Sequence, residues 1–440
     1  MRRTLLAAML CTLALPALPD RVVGQDPDLD ALADGLEARV IEWRRDIHQH
    51  PELSNREFRT AELVAEHLQS LGISVTTGVA HTGVVGLLEG GSPGPVVALR
   101  ADMDGLPVPE RNDLSFRSRA IGEYKGEEVP VMHACGHDTH VAILMGVAEA
   151  LSGMRDELSG TVKFIFQPAE EGPPEGEEGG AELMTKEGVL ANPDVDAAFA
   201  LHIAAQQDVG TVTYRSGPMM ASVQDYRILV RGRQAHGAAP WAGVDPIVTA
   251  SQIVVGLQTI VSRTLDITDN PAIVTIGKFE GGVRSNIIPE EVEMLGTIRT
   301  FAPEQTELVH RRIREIATNI GEAAGAEVTV DIPHTMTYPV TYNDPDLTGT
   351  SIESLARVAG SANVIESPLI TGAEDFSYFA EEVPGFYFFL GGKPLDIAKE
   401  DAASHHTPDF YIDESGLMLG FKGLMALTLD YMKANAPLVP

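Results

Sequence analysis

Cysteine is nearly absent: the 440 residues contain two, Cys11 and Cys135. Cys11 falls in an N-terminal segment expected to be removed, so the mature chain holds one thiol and no internal disulfide can form. Basic residues are scarce too, with 32 Lys and Arg against 63 Asp and Glu, a formal net charge of −31. Gripping a phosphate backbone needs a basic surface, so this balance argues against a nucleic-acid partner. Also missing, beyond the first twenty residues, is any unbroken apolar run near the roughly twenty residues that span a bilayer. No stable membrane association is expected of the mature form.

The exception is the start, "MRRTLLAAMLCTLALPALPD". Arg2 and Arg3 precede an apolar run ending near Leu18, the layout of an export signal, here assigned to residues 1–24. The adjacent arginines also fit a twin-arginine signal. Export, to a periplasm or to the medium, is therefore expected.

The length exceeds what one hydrophobic core comfortably serves, so two domains are expected. Leu29, Leu32, Leu36, Val40, Trp43 and Ile47 recur at helical spacing, and a second helix is predicted over Glu57 to Leu71. Strands "ISVTT", "TGVVGLLEG" and "GPVVALRADMDGLP" follow, then a helix from His137, then "TVKFIFQPAEEG" and "DAAFALHIA". Such alternation predicts an α/β layered domain. From Val223 to Pro333 the order becomes βαββαβ, that of a ferredoxin-like sandwich. The expected organisation is a catalytic α/β domain over 25–216 and 334–440, interrupted by an inserted domain over 217–333.

Four segments can do chemistry. In "HACGHDTH", Gly136 discourages a helix, and residues two apart on an extended chain face one side, so Cys135 and His137 could share an ion. Thiolate plus imidazole suits zinc and its neighbours. A buried small hydrophobe beside a helix cap is an equally open reading of these two residues. Glu170 and Glu171 end an apolar strand and point to opposite sides, which suits one carboxylate for metal and the other as general base. A solvated acidic loop is the competing reading, given "EGPPEGEEGG" just downstream. His202 lies near a strand end, and "SHHTPDFYIDE" supplies His405 and His406. Together these residues suffice for two ions with an open position for water.

The ordered segments "RRDIHQHPELS", "LRADMDGLP", "MHACGHDTH", "FQPAEEG", "RGRQAHGAAPWAGVDP", "GGVRSNIIPEEVEMLGTIR", "GAEDFSYF" and "HHTPDFYIDE" resemble the aminoacylase-like metallopeptidases. The match is to the branch of N-acyl-amino-acid amidohydrolases, hippurate hydrolases and auxin-conjugate hydrolases, and it spans nearly the whole chain after the signal. The resemblance implies a metallopeptidase-type α/β catalytic domain with an inserted ferredoxin-like lid that also dimerises. It further implies two divalent ions, zinc or manganese with cobalt or nickel also compatible, held by Cys135, His137, Glu171, His202 and His406. Cys135 would bridge them, and Glu170 would be the general base that activates water. Asp104 would lie beside the metals and orient a ligand. His236 would stabilise the oxyanion, often in the partner subunit of a homodimer, and Asn286 and Arg299 would contact substrate. Trp241, where relatives commonly have histidine, and "LHIAAQQDVG" depart from the pattern near the substrate. The implied reaction is hydrolysis of the amide of a small N-acyl amino acid. A dipeptidase or carboxypeptidase on the same residues is the alternative, and a binding protein that has lost catalysis is the reading outside enzymes.

Overall fold

The computed structural model describes residues 27–437. The expected export signal lies outside the described residues. Helix α1, Leu29–Gln49, starts at Asp28, whose carboxylate accepts from Ala31 N at 3.1 Å and satisfies one orphan donor of the first turn. It buries Ala33, Leu36, Val40 and Ile47 along one stripe. Helix α2, Phe58–Ser70, is followed by β1, Ser74–Val79, β2, Gly83–Glu89, and β3, Ser92–Asp102. Helix α3, His137–Gly153, is buried on nearly every side and packs between α1 and the terminal helix Leu417–Asn435. That all-round burial explains its lack of a polar face.

The large sheet runs β1, β2, Ser159–Gln167, β3, Ala197–Asp208, Gly385–Lys393, Val212–Tyr214, Val364–Glu366. Its four central strands are parallel. The β1–β2 hairpin and Val212–Tyr214 add antiparallel pairs toward the two edges. Alternation along the central strands separates two cores. Leu99, Phe164, Phe199 and Phe388 face α1, α3 and the terminal helix, whereas Ala98, Ile165, Ala200 and Tyr387 meet Phe376 and Phe379 on the other side. The sequence did not announce the exposed hairpin Ile121–Tyr124 with Glu127–Pro130, nor the short helix Gly180–Lys186 within the acidic loop.

A second antiparallel sheet orders Ile273–Glu280, Glu291–Arg299, Val223–Arg231 and Glu327–Asp331. Helices Pro246–Thr259 and Pro303–Ala324 cover one face, over Tyr226, Ile228, Val230, Val292 and Met294. This is the βαββαβ arrangement with strand order 2-3-1-4. On the way back to the large sheet, Thr337–Tyr338 pairs with Val223 and Gln224.

The carboxyl ends of the parallel strands form the crevice where open α/β sheets place ligands. Asp102 and Asp104 leave β3 there, Glu170 and Glu171 follow Ser159–Gln167, and His202 lies within the next strand. Beneath them Arg100, almost wholly buried, donates to Gln167 Oε1 at 2.8 Å, Asp102 Oδ2 at 2.6 Å, Glu374 Oε1 at 2.8 Å and Asp375 Oδ1 at 2.9 Å. One guanidinium thus ties three carboxylates from two distant segments. Replacing it by an apolar side chain strands them without a counter-charge, which typically costs about 3–5 kcal/mol. Arg100→Met is therefore expected to lower the urea midpoint of unfolding sharply, and an unchanged midpoint refutes this account. Gly136 is as constrained: its φ is +95°, and an added Cβ would lie 2.3 Å from Ile203 Cγ2. Gly136→Ala should cost about 2 kcal/mol or more, from a left-handed non-glycine residue and overpacking together. The same melt measures it.

Candidate metal centre

Cys135 and His137 do not lie on an extended segment as the sequence reading supposed. Gly136 takes a left-handed turn and α3 starts at once with His137. The two side chains consequently belong to different donor clusters. Cys135 gathers with Glu171 and His406, and His137 with Glu170 and Glu171, so Glu171 is common to both. Cys135 Sγ lies 3.4 Å from His202 Nε2 and 3.3 Å from His406 Nε2, and His406 Nε2 is 3.0 Å from Glu171 Oε1.

Hydrogen bonding sorts the surrounding imidazoles into those with a free nitrogen and those without. His137 Nδ1 donates to Asp104 Oδ1 at 3.1 Å, leaving Nε2 buried and without a hydrogen-bond partner. His202 Nδ1 donates to the carbonyl of Ile203 at 2.6 Å, which leaves its Nε2 lone pair toward Cys135. These second partners fix the tautomer, as they do for metal-bound histidines generally. His140 differs: Nδ1 donates to Asp102 and Nε2 accepts from Ile203 N at 2.8 Å, so both nitrogens are consumed. His405 is consumed likewise, by Ala205 N at 3.0 Å and the carbonyl of Cys135 at 3.2 Å. Both rings of the adjacent pair reach Cys135 Sγ, His406 Nε2 at 3.3 Å and His405 Nδ1 at 3.7 Å, but His406 is the one that also reaches Glu171. Its φ of +61° and its bond from N to the carbonyl of Ala134, 2.9 Å, aim Nε2 at Cys135 and Glu171, while the ring stays about half exposed.

The carboxylates are held as firmly. Asp104 accepts from Ser54 Oγ at 2.8 Å, Glu170 N at 3.2 Å and Glu171 N at 3.1 Å, besides His137. Tyr338, on the strand that pairs with the smaller sheet, donates its hydroxyl to the Glu170 carbonyl at 2.8 Å. The turn carrying both glutamates is therefore gripped on its N–H and C=O groups.

Electrostatically the cluster is an acid-rich, desolvated pocket. Burial, reinforced by Glu374, Glu171, Asp375 and Asp102, holds the Glu170 carboxyl well above its usual range. Burial also pushes the Cys135 thiol well up, with Glu171, Glu170 and Asp102 acting the same way. His137 is raised to about 10 because Asp102 and Asp104 outweigh its desolvation. Desolvation lowers His202 far below the usual imidazole range. A thiol, an unpartnered imidazole nitrogen and several carboxylates pressed together out of water form a donor set that fits divalent cations.

The remaining predicted residues, Arg299 on the second sheet and His236 and Asn286 at a separate two-stranded pair beside it, stand apart. His236 and Asn286 neighbour each other, since Ala235 and His236 pair with Ile288 and Ile287, and Gly237 N donates to the Asn286 carbonyl at 2.8 Å. Both side chains are exposed, and Arg299 is half-buried at the end of Glu291–Arg299. Among the described residues no hydrogen bond or ion pair joins these three to the Cys135 cluster. Trp241 protrudes into solvent nearby. Arg100, Glu374 and Asp375 support the site although the sequence suggested no role for them, and Asp102, expected only to end a strand at the crevice, and His140, expected only to support the first helical turn, support it too. The only signal was their position within "LRADMDGLP", "HACGHDTH" and "GAEDF".

Residues 98–430 match the profile of Peptidase family M20/M25/M40. Thermostable carboxypeptidase 1 of Saccharolobus solfataricus is 40% identical over 386 residues, 88% of this chain and 93% of that protein. N-acetylcysteine deacetylase of Bacillus subtilis is 36% identical over 401 residues, 90% of this chain and 98% of its own length. The crystal structure of Bacillus subtilis YXEP protein, described as a dinuclear metal-binding peptidase of the M20 family, superposes with a TM-score of 0.75 at 32% identity. That superposition covers 91% of this chain and 99% of the other. The chain is a hydrolytic enzyme of the M20/M25/M40 peptidase family.

Proposed function

We propose that the protein hydrolyses the amide bond of N-acyl amino acids, acetyl and benzoyl derivatives included. Two divalent ions would be held by Cys135, His137, Glu171, His202 and His406. What supports this is the sorting of imidazole nitrogens: His137 Nε2 is unpartnered and His202 Nε2 meets only the Cys135 thiol, while His140 has both nitrogens, and His405 its Nε2, taken by backbone or carboxylate partners. Zinc or manganese suits the mixed donors, as do cobalt and nickel. When bound, such ions supply Lewis acidity and bring the pKa of water from about 16 toward 7.

Glu170 stands next to a ligand carboxylate, with its Oε2 3.7 Å from His137 Nε2. It accepts a proton from water and returns it to the departing nitrogen. Asp104 and Tyr338 keep its backbone still during both transfers. Asn286 and Arg299 would recognise the amino-acid carboxylate. His236 would stabilise the oxyanion, a contribution of about 3 kcal/mol for one well-placed donor.

The deacetylase relative favours the acyl-amino-acid reading. The carboxypeptidase relative supports a second one, release of a C-terminal amino acid from peptides by the same residues. A panel of N-acetyl- and N-benzoyl-amino acids against dipeptides and tripeptides, on metal-quantified protein, separates them. Activity confined to unblocked peptides would sink the first. In the same panel Glu170→Gln should keep its metal and lose about 10²–10⁴-fold in kcat.

His236 faces solvent in this chain, and a homodimer would give it a site to complete. Ile273–Glu280 is an edge strand with Ile273 and Phe279 exposed, next to Val248 and Val255 on the helix Pro246–Thr259. An uncovered apolar edge of this kind favours pairing with a second copy. Mixing inactive His236→Ala and Glu170→Gln protomers should then restore about a quarter of wild-type turnover, because half the dimers are mixed and each carries one intact site. No recovery after verified subunit exchange would rule the arrangement out.

A further inference from the structure

Glu57 sits at the N-cap position of α2, where a carboxylate ordinarily satisfies the first-turn N–H groups. It makes no such bond. Glu52 does that work, accepting from Arg59 N and Thr60 N, each at 2.9 Å. Released from capping, the Glu57 carboxylate turns inward and is fully buried. Oε1 accepts from Ala169 N at 2.9 Å, and Oε2 accepts from the hydroxyl of Thr82, itself buried.

Ala169 is the residue before Glu170, and its φ is +53°. A side chain bearing Cβ is disfavoured in that left-handed region and stays there only when its surroundings hold it. The next two N–H groups, of Glu170 and Glu171, go to Asp104. Three consecutive amides are thus fixed by two buried carboxylates, one from the metal-side loop and one from a helix outside it.

We infer that Glu57 is a positioning residue, holding Ala169 in its left-handed conformation so that Glu170 and Glu171 leave the turn in the directions the reaction needs. This rests on the roles proposed above for those two glutamates. Burial, reinforced by Asp104, pushes the Glu57 carboxyl up to about 8, so a glutamine amide is a close stand-in at neutral pH. Its oxygen accepts from Ala169 N while its NH₂ donates to Thr82.

The test compares Glu57→Met, Glu57→Gln, Glu57→Asp, Ala169→Gly and the Glu57→Met/Ala169→Gly double variant. For each, metal content, kcat and KM are measured with N-acetyl- and N-benzoyl-amino acids. Loss of a supporting bond behind a metal or catalytic group typically costs about 10–100-fold, and Glu57→Met should lose that in kcat with KM moving less than about threefold. Glu57→Gln should stay within about threefold of wild type, since it keeps the acceptor. Glycine needs no clamp at positive φ, so adding Ala169→Gly should recover at least about fivefold of the methionine variant's loss.

A methionine variant with wild-type kcat overturns the inference, and so does a folded one that Ala169→Gly fails to improve. Should Glu57→Met not fold, Glu57→Asp decides, because its carboxylate falls one methylene short of Ala169 N. About tenfold loss in kcat at unchanged KM supports the role, and wild-type kcat overturns it. Glu170→Gln keeps the two ideas separable. An active Glu170→Gln enzyme overturns the assignment of the base, whereas an inert one beside unaffected Glu57 variants overturns only the positioning role.

Discussion

Four donors converge on the two oxygens of Asp104: His137 Nδ1, Ser54 Oγ and the amides of Glu170 and Glu171. That single buried carboxylate sets the tautomer of one imidazole and the path of the chain through both glutamates. The directions of His137, Glu170 and Glu171 and the charge facing the crevice all pass through it. A carboxylate with four donors is stable when buried because each lone-pair direction is used. The same satisfaction makes it rigid, and rigidity is what keeps reacting groups within the fraction of an ångström that catalysis requires.

The second constraint is charge. Asp102, Asp104, Glu170, Glu171, Glu374 and Asp375 crowd one end of the sheet, and Arg100 is the guanidinium buried among them. Burial raises Glu170, Asp375 and the Cys135 thiol well above their ordinary ranges, whereas Arg100 and the neighbouring imidazoles hold Asp102 well below its own. Cations at the cluster would reverse the upward shifts by stabilising the charged forms. Such cations would account together for the acidity of the pocket and for the free Cys135 thiol beside it.

Much of this was legible in the linear chain. Helical spacing from Leu29 to Ile47 and the βαββαβ order between Val223 and Pro333 both correspond to elements of the structure, because burying one face leaves a periodic signature. Cys135, His137, Glu170, Glu171, His202 and His406, spread over four segments, do meet in one crevice. Cys135 and His137, expected to aim at one ion from either side of Gly136, fall in different donor clusters joined by Glu171. An extended segment was expected, and a left-handed turn opening a helix was found. Glu374 and Asp375 stayed silent, since a buried acid in a network and an exposed acid in a loop read identically as letters. Glu57 was hidden for another reason: at a helix start, capping is the ordinary use of a glutamate.

Composition and pattern by themselves determined the class of the protein: α/β architecture with an inserted ferredoxin-like unit, an excess of acidic residues, and a thiol–imidazole–carboxylate set with the chemistry of a metal site. Those properties depend on residue types and short-range periodicity, which a sequence records directly. Only the tertiary structure decided which nitrogen of each histidine is taken by a supporting partner, which of His405 and His406 reaches Glu171 as well as Cys135, and how three successive amides at 169–171 are held. Those choices depend on hydrogen bonds between residues as far apart as Glu57 and Ala169 or His405 and Ala205. Such pairings exist only once the chain has closed on itself, because a donor's partner is set by distance in space and not along the sequence.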